Sequence, residues 1–177
     1  RRIFGWETDA AGVPYRAFLA QFIPALLDFL RGQGVLEACY FHISDEPSLE
    51  HLDSYRAARE GVAGLLAGCQ IMDALSNYDF YEQGLVDHPI PANNHIEPFL
   101  EHRVPGLWTY YCCGQHVDVS NRFISMPSCR NRVLGCQMFK YDIAGFLQWG
   151  YNFYYSQYST YPVNPFQTTD ALQAFPS

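Results

Sequence analysis

Short apolar segments alternate with amphipathic helical patterns along most of this sequence, and this alternation limits the chain to a small set of folds. Apolar residues recur at three- and four-residue spacing from Tyr15 to Leu30, which predicts a helix. Residues 36–43 then form a short, largely apolar run that is typical of a buried parallel strand. A second helical pattern begins after Ser48 and continues to Gly68. Such repetition indicates consecutive right-handed βα units around one parallel sheet.

The rest of the sequence repeats this order. It predicts strands at residues 69–73, 106–112 and 145–149, and helices at 93–102 and from Pro127 to about 139. Residues 77–90 are expected to form a loop with local turns. Four strands and four helices indicate a single α/β domain, whereas a closed (β/α)8 TIM-type barrel typically needs about 250 residues. We therefore expect a partial barrel of about four βα units with a parallel sheet.

The composition is that of a globular domain rather than a nucleic-acid-binding or membrane protein. Of the 177 residues, 49% are hydrophobic and 16% are charged, which allows a substantial core. The net charge is −7 and no run of Lys or Arg forms a basic stripe, so we expect no nucleic-acid partner. The apolar stretch from Phe18 to Leu30 is interrupted by Gln21, Pro24 and Asp28, so we expect no membrane span.

The six cysteines and six histidines lack the spacing of metal or redox sites. No zinc-knuckle, CxxC or HExxH pattern is present, and no glycine-rich phosphate loop occurs, so we expect neither metal nor cofactor. The cysteines lie mostly in apolar segments, where free thiols behave as small hydrophobic residues, so we expect buried free thiols. Free thiols favour a reducing compartment, and hence the cytoplasm.

Two adjacent acids, Asp45 and Glu46, follow the predicted strand at residues 36–43, where parallel α/β enzymes place their sites. Two neighbouring carboxyl groups can take different catalytic roles. Their mutual repulsion raises the pKa of one of them, so that one acid can donate a proton while the other stays charged. Strand alternation would send them to opposite faces, so a shared site requires the chain to leave the extended conformation, as Pro47 favours. The alternative is a solvated turn that caps the next helix.

Other polar and aromatic residues also follow predicted strands. His42 could line the barrel interior and bind a sugar hydroxyl, although a hydrogen-bonded core histidine is the alternative. Trp149 could form the floor beneath a sugar ring, as aromatic faces do for flat apolar patches. Alternation allows only one of Tyr110 and Tyr111 to point inward, and we select Tyr110 as a donor to the substrate. Four further candidates for binding sugar hydroxyls, with ordinary loop structuring as the alternative, are Asp73, Asn121, Arg122 and Asn152.

Five segments, taken together and in this order, resemble a known family. They are HISDEP at 42–47, DALS at 73–76, WTYYCC at 108–113, SNRFI at 120–124 and GFLQWGYN at 145–152. The chain resembles the glycoside hydrolase family 123-like catalytic domain, also called DUF4091. The resemblance implies the C-terminal part of a (β/α)8 barrel, truncated at both ends, over residues 1–177. The missing barrel strands would then come from the parent chain or from another subunit.

The resemblance also implies an activity, that of a β-N-acetylgalactosaminidase or a relative of unknown specificity. Asp45 would orient and polarise the substrate's acetamido group, and Glu46 would be the general acid and base. Two adjacent residues can hardly flank a glycosidic bond from both faces, so we expect a retaining, substrate-assisted mechanism on an N-acetylhexosamine-containing glycan. The alternatives are a glycosidase of different sugar specificity, a non-catalytic carbohydrate-binding barrel, and a metal-independent enzyme of another reaction type.

Overall fold

The computed structural model describes residues 4–5, 7–123 and 125–150. Five short strands alternate with six helices in this part of the chain, and 3-10 turns lie at Leu36–Ala38 and Leu49–His51. The strands are β1 (Tyr40–Phe41), β2 (Gln70–Ala74), β3 (His88–Ile90), β4 (Trp108–Tyr110) and β5 (Gly145–Leu147). The helices are α1 (Val13–Gly32), α2 (Leu52–Ala63), α3 (Asp79–Glu82), α4 (Glu97–Glu101), α5 (Ser128–Arg132) and α6 (Leu134–Lys140).

The strands are parallel and stand side by side in chain order. β1 pairs with β2, β2 with β3, and β4 with β5, while a parallel bridge between Ala92 and Tyr110 joins the end of β3 to the end of β4. The prediction of an α/β fold with a parallel sheet is confirmed. The described residues form no closed barrel, so the eight-stranded barrel stays a prediction.

Three predicted elements differ from the structure. The strand at 36–43 is limited to Tyr40–Phe41, because β2 begins opposite Tyr40 and the preceding residues have no partner strand there. The segment 77–90 contains helix α3 and strand β3, where only a loop with turns was expected. The helix predicted from Pro127 is divided at Val133 into α5 and α6.

Two apolar clusters lie on the two faces of the sheet. The larger one includes Ile71 of β2 and Tyr55 and Val62 of α2, together with residues of α1. The smaller one joins Ala74, Ile90, Ala92 and Tyr110 at the carboxyl ends of β2, β3 and β4. Because side chains alternate along a strand, β2 sends Ile71 and Asp73 towards the helices and Ala74 towards the other face.

Helix α1 is long and apolar enough to cross a membrane, judged by length and composition alone, and it is the one described helix that meets this criterion. We expected no membrane span from the sequence because polar residues interrupt the apolar stretch of this helix. In the structure its Ile23 and Leu27 pack into the larger core cluster, but only 6% of the apolar window is buried among the described residues.

All six cysteines are free thiols. Contrary to the expectation of burial, Cys113, Cys129 and Cys136 are exposed, and the other three are partly exposed. The thiols are therefore accessible to oxidants to different degrees.

The pairing of β4 with β5 requires glycine at position 145. A Cβ built on Gly145 would lie 2.2 Å from Cε2 of Trp108, its partner across the strands. We expect Gly145→Ala to lower the free energy of unfolding by about 1–3 kcal/mol, because a rigid indole must move to make room. Urea unfolding of the folded protein measures the change.

The matched control for this substitution is Gly135→Ala in α6, where an added Cβ meets nothing within 4 Å. Alanine is the better helix former by roughly 0.5–1 kcal/mol, so this variant should be as stable as the wild type or more stable. Equal stability of the two alanine variants would contradict the close-approach explanation for Gly145.

Candidate active site

A cavity of about 360 Å³ opens at the carboxyl ends of the first four strands. Its lining comes from the segments that follow β1, β2, β3 and β4, where parallel α/β folds bind ligands. The volume is within the range of small-molecule sites. The lining residues are Glu46, Pro47, Ser48, Ser76, Asn77, Ala92, His95, Tyr110, Cys112, Cys113, Gly114 and Gln115.

Glu46 occupies an unusual backbone conformation at the edge of this cavity. Its φ is +46°, in the left-handed region that costs an L-residue about 1–2 kcal/mol. The Glu46 N–H donates to the Ala74 carbonyl at 2.9 Å, so the end of β2 holds this residue in place. The chain therefore leaves the extended conformation at the Asp45–Glu46 pair, and Pro47 beyond it is buried. Local strain of this kind is concentrated at functional sites.

Tyr110 connects the floor of the cavity to Glu46. The Tyr110 hydroxyl donates a hydrogen bond to Oε1 of Glu46, and the tyrosine is only 8% exposed. Burial, and then this hydrogen bond, raise the pKa of Tyr110, with a smaller contribution from the charge of Asp45. The phenol is therefore a neutral donor at physiological pH. Tyr111 points elsewhere, with its ring against Phe146.

Asn121 shapes one wall of the cavity instead of facing it. It is 3% exposed, and its side-chain amide donates to the carbonyls of Cys112 and Gln115, both at 2.7 Å. The Gln115 side chain accepts from the Cys112 N–H at 2.7 Å. These bonds close the loop after β4. The side-chain amide of Asn121 is thus already used inside the loop, and its expected contact with sugar stays a prediction.

Asp73 is likewise placed behind the site. It has no exposed surface, and its carboxylate accepts hydrogen bonds from His42, from Tyr55 of α2 and from the backbone N–H of Ile43. Both carboxylate oxygens thus have partners inside the protein, and a contact of Asp73 with sugar stays a prediction. His42 is half-exposed near the Asp45–Glu46 turn, although it does not line the cavity.

The remaining candidates lie outside the cavity lining. Asp45 is exposed beside Glu46. The Arg122 guanidinium carbon lies 5.6 Å from the Tyr111 ring centroid and 5.9 Å from that of Phe146. Trp149 follows β5 and is 64% exposed. Asn152 lies outside the described residues. The structure thus brings Glu46 and Tyr110 together in the cavity lining, whereas Asp45 and His42 are not among the lining residues.

The family model for the glycoside hydrolase 123 catalytic domain matches residues 2–177. The chain belongs to glycoside hydrolase family 123. The resemblance predicted from the five sequence segments is confirmed, and membership supports a glycoside hydrolase function. None of the curated proteins matches the chain.

A solved structure of a family 123 glycoside hydrolase from Clostridium perfringens, from a study of glycolipid glycan hydrolysis, has a similar fold. The TM-score is 0.63 at 18% sequence identity, over 81% of this chain and 26% of the other. The chain thus spans about a quarter of that protein's length, and the similarity supports the fold alone.

Several cavity residues of this family 123 chain were missed by the sequence interpretation. Ser76 and Asn77 follow β2, and Gln115 lies in the loop after β4. The one sequence feature that pointed to these residues was their position directly after a strand. That position alone does not distinguish a site residue from an ordinary loop residue. His95 was hidden for another reason: it follows β3, and β3 itself was not predicted.

Among the described residues, no group of three or more His, Cys, Asp and Glu side chains could hold a metal ion. The cavity instead offers one carboxylate, a neutral phenol and several amide and hydroxyl groups. This set can transfer a proton and hydrogen-bond a polyhydroxylated ligand.

Proposed function

We propose that this family 123 domain hydrolyses terminal N-acetylhexosamine residues, β-N-acetylgalactosaminides above all, by a retaining, substrate-assisted mechanism. The observation that carries the proposal is the position of Glu46. Its carboxylate lies in a cavity at the carboxyl ends of four parallel strands and accepts a hydrogen bond from a buried tyrosine. The substrate class comes from the family resemblance together with the adjacency of Asp45 and Glu46.

Glu46 acts as the general acid and base in this scheme. Protonated Glu46 gives its proton to the leaving glycosidic oxygen, and the carboxylate later removes a proton from the attacking water. Tyr110 supports this cycle, because its hydroxyl holds one carboxyl oxygen in place and leaves the other for proton transfer. The strained backbone at Glu46 fixes the direction in which the carboxyl group leaves the chain.

Asp45 acts on the nucleophile, which is the oxygen of the substrate's own 2-acetamido group. Attack of this oxygen on the anomeric carbon gives an oxazolinium-like intermediate whose positive charge the Asp45 carboxylate stabilises while it accepts the acetamido N–H. The water that opens the ring attacks from the side of the departed leaving group. Two inversions at the anomeric carbon give net retention of configuration.

A panel of aryl glycosides tests this function on the full-length protein that contains the chain. We expect turnover of aryl 2-acetamido-2-deoxy-β-hexosides, fastest for the galacto isomer, and little turnover of the matching plain hexosides. Proton NMR of the first product formed should show the β-anomer. The matched pairs differ only at the 2-position, so they isolate the contribution of the acetamido group.

Comparable turnover of the plain hexosides, or initial release of the α-anomer, would contradict the substrate-assisted scheme. Saturable binding of N-acetylhexosamine without hydrolysis of any aryl glycoside would instead favour the non-catalytic carbohydrate-binding alternative.

A further inference from the structure

The Asp73 carboxylate gathers four donors at the point where the chain turns towards Asp45 and Glu46. Oδ1 accepts from the Ile43 N–H at 2.9 Å and from the Ser44 N–H at 3.4 Å, and it also contacts Nδ1 of His42. Oδ2 accepts from the Tyr55 hydroxyl. A fully buried carboxylate is costly unless it is bound in this way, so its place in the fold is closely specified.

Two of these donors belong to the backbone immediately before the acidic pair. Ile43 and Ser44 lead directly into Asp45, and the next anchor is the Glu46 N–H on the carbonyl of Ala74. Residues 73 and 74 at the end of β2 thus hold the turn on both sides of Asp45. Displacement of Asp73 would loosen the segment that aims the Glu46 carboxyl group.

Of the two side-chain donors, His42 connects this buried group to the solvent side of the turn. Its side chain is 52% exposed, and its pKa is raised above the ordinary histidine value. The main cause is the hydrogen bond to Asp73, which outweighs the lowering effect of burial. The charge of Asp73, the Met72 carbonyl and the charge of Asp45 act in the same upward direction. His42 is therefore protonated over a wider pH range than a free imidazole.

We propose that Asp73 is a positioning residue of this site: its carboxylate fixes the backbone that leads into Asp45 and Glu46 and orients the His42 imidazole beside that turn. Its effect on turnover rests on the proposed function, whereas its effects on His42 and on the backbone do not. Asp73 acts through these neighbours, since it has no surface with which to contact a ligand.

The variant Asp73→Asn tests the contribution of the negative charge separately from the shape of the side chain. Asparagine keeps one carbonyl oxygen for the N–H groups of Ile43 and Ser44 and removes the negative charge. We expect the His42 pKa, measured by NMR of the imidazole protons, to fall towards 6.5 in the variant. The turn should stay in place, so any loss of kcat should be small and confined mainly to the pH range between the lowered and the wild-type His42 pKa.

Asp73→Ala removes both the charge and the acceptor. We expect kcat to fall by roughly tenfold to a hundredfold with little change in KM, because the acid is misplaced while the rest of the cavity is intact. Amide hydrogen exchange at Ile43 and Ser44 should become faster. Should the alanine variant fail to fold, Tyr55→Phe removes a single donor and should shift the His42 pKa and the exchange of Ile43 in a milder way.

The matched control for Asp73→Ala is Asp87→Ala. Asp87 accepts the Ile71 N–H at 3.0 Å at the opposite end of β2, and its side chain is partly exposed. This variant should lose stability and exchange faster at Ile71, with kcat and the His42 pKa unchanged. The control thus removes a carboxylate acceptor from a backbone N–H of the same strand without an effect on the turn.

An unchanged His42 pKa in Asp73→Asn would overturn the proposal, as would wild-type kcat and wild-type exchange at Ile43 in a folded Asp73→Ala. If the wild-type protein hydrolyses none of the aryl glycosides, the proposed function fails. The titration of His42 and the exchange measurements still decide the role of Asp73 in that case.

Discussion

Replacement of Glu46 by glutamine should reduce kcat by about 10² to 10⁴ for substrates whose leaving group needs a proton. Glutamine keeps the size of the side chain and its acceptor for the Tyr110 hydroxyl, but it cannot protonate the glycosidic oxygen. The loss should be smaller for nitrophenyl glycosides, because a good leaving group departs without protonation. The measurement is kcat/KM for two aryl glycosides with leaving groups of different pKa, with the full-length protein.

Glu50→Gln is the matched control for this result. Glu50 is an exposed glutamate four residues further along the chain, in the turn Leu49–His51, and it does not line the cavity. We expect wild-type kinetics for this variant. An equal loss for both leaving groups in Glu46→Gln would contradict a role for Glu46 as the general acid.

Asp45→Asn should reduce kcat by about 10² to 10³ on 2-acetamido substrates, because the charge that stabilises the oxazolinium-like intermediate is removed. The leaving-group dependence of the rate should change less than it does in Glu46→Gln, since the proton donor is intact. The two variants are therefore distinguished by one set of substrates. A sugar trapped covalently on Asp45 would contradict the positioning role and make this residue the nucleophile.

The control for Asp45→Asn is Asp53→Asn in the first turn of α2. Asp53 is exposed, is paired with Arg56 at 3.2 Å and is not among the residues that line the cavity. Its replacement removes one negative charge near the same turn, so a general effect of net charge would appear in both variants. We expect a rate close to that of the wild type for Asp53→Asn.

Strand β3 shows why periodicity alone could not predict the whole sheet. Pro89 and Pro91 lie in and beside it, and proline within a run argues against a central strand because it has no N–H. The proline carbonyls remain available, however. The Pro91 carbonyl accepts the N–H of Tyr110 at 3.2 Å and the hydroxyl of Thr109 at 2.9 Å. The donors of these hydrogen bonds come from the neighbouring strand β4. Whether such donors are in reach depends on the tertiary structure and not on the local sequence.

The sequence by itself determined the order of most strands and helices, with α3 and β3 missed, together with the parallel pairing and the place of Asp45 and Glu46 after a strand. These follow from local patterns, since apolar periodicity and chain-breaking residues act over a few positions. The direction of each side chain depended on distant partners. Glu46 is held by the Ala74 carbonyl and the Tyr110 hydroxyl. Asp73 is bound inside the protein by groups from α2 and from the turn that follows β1. Only the tertiary structure could decide these roles, because residues up to 64 positions apart share one hydrogen bond.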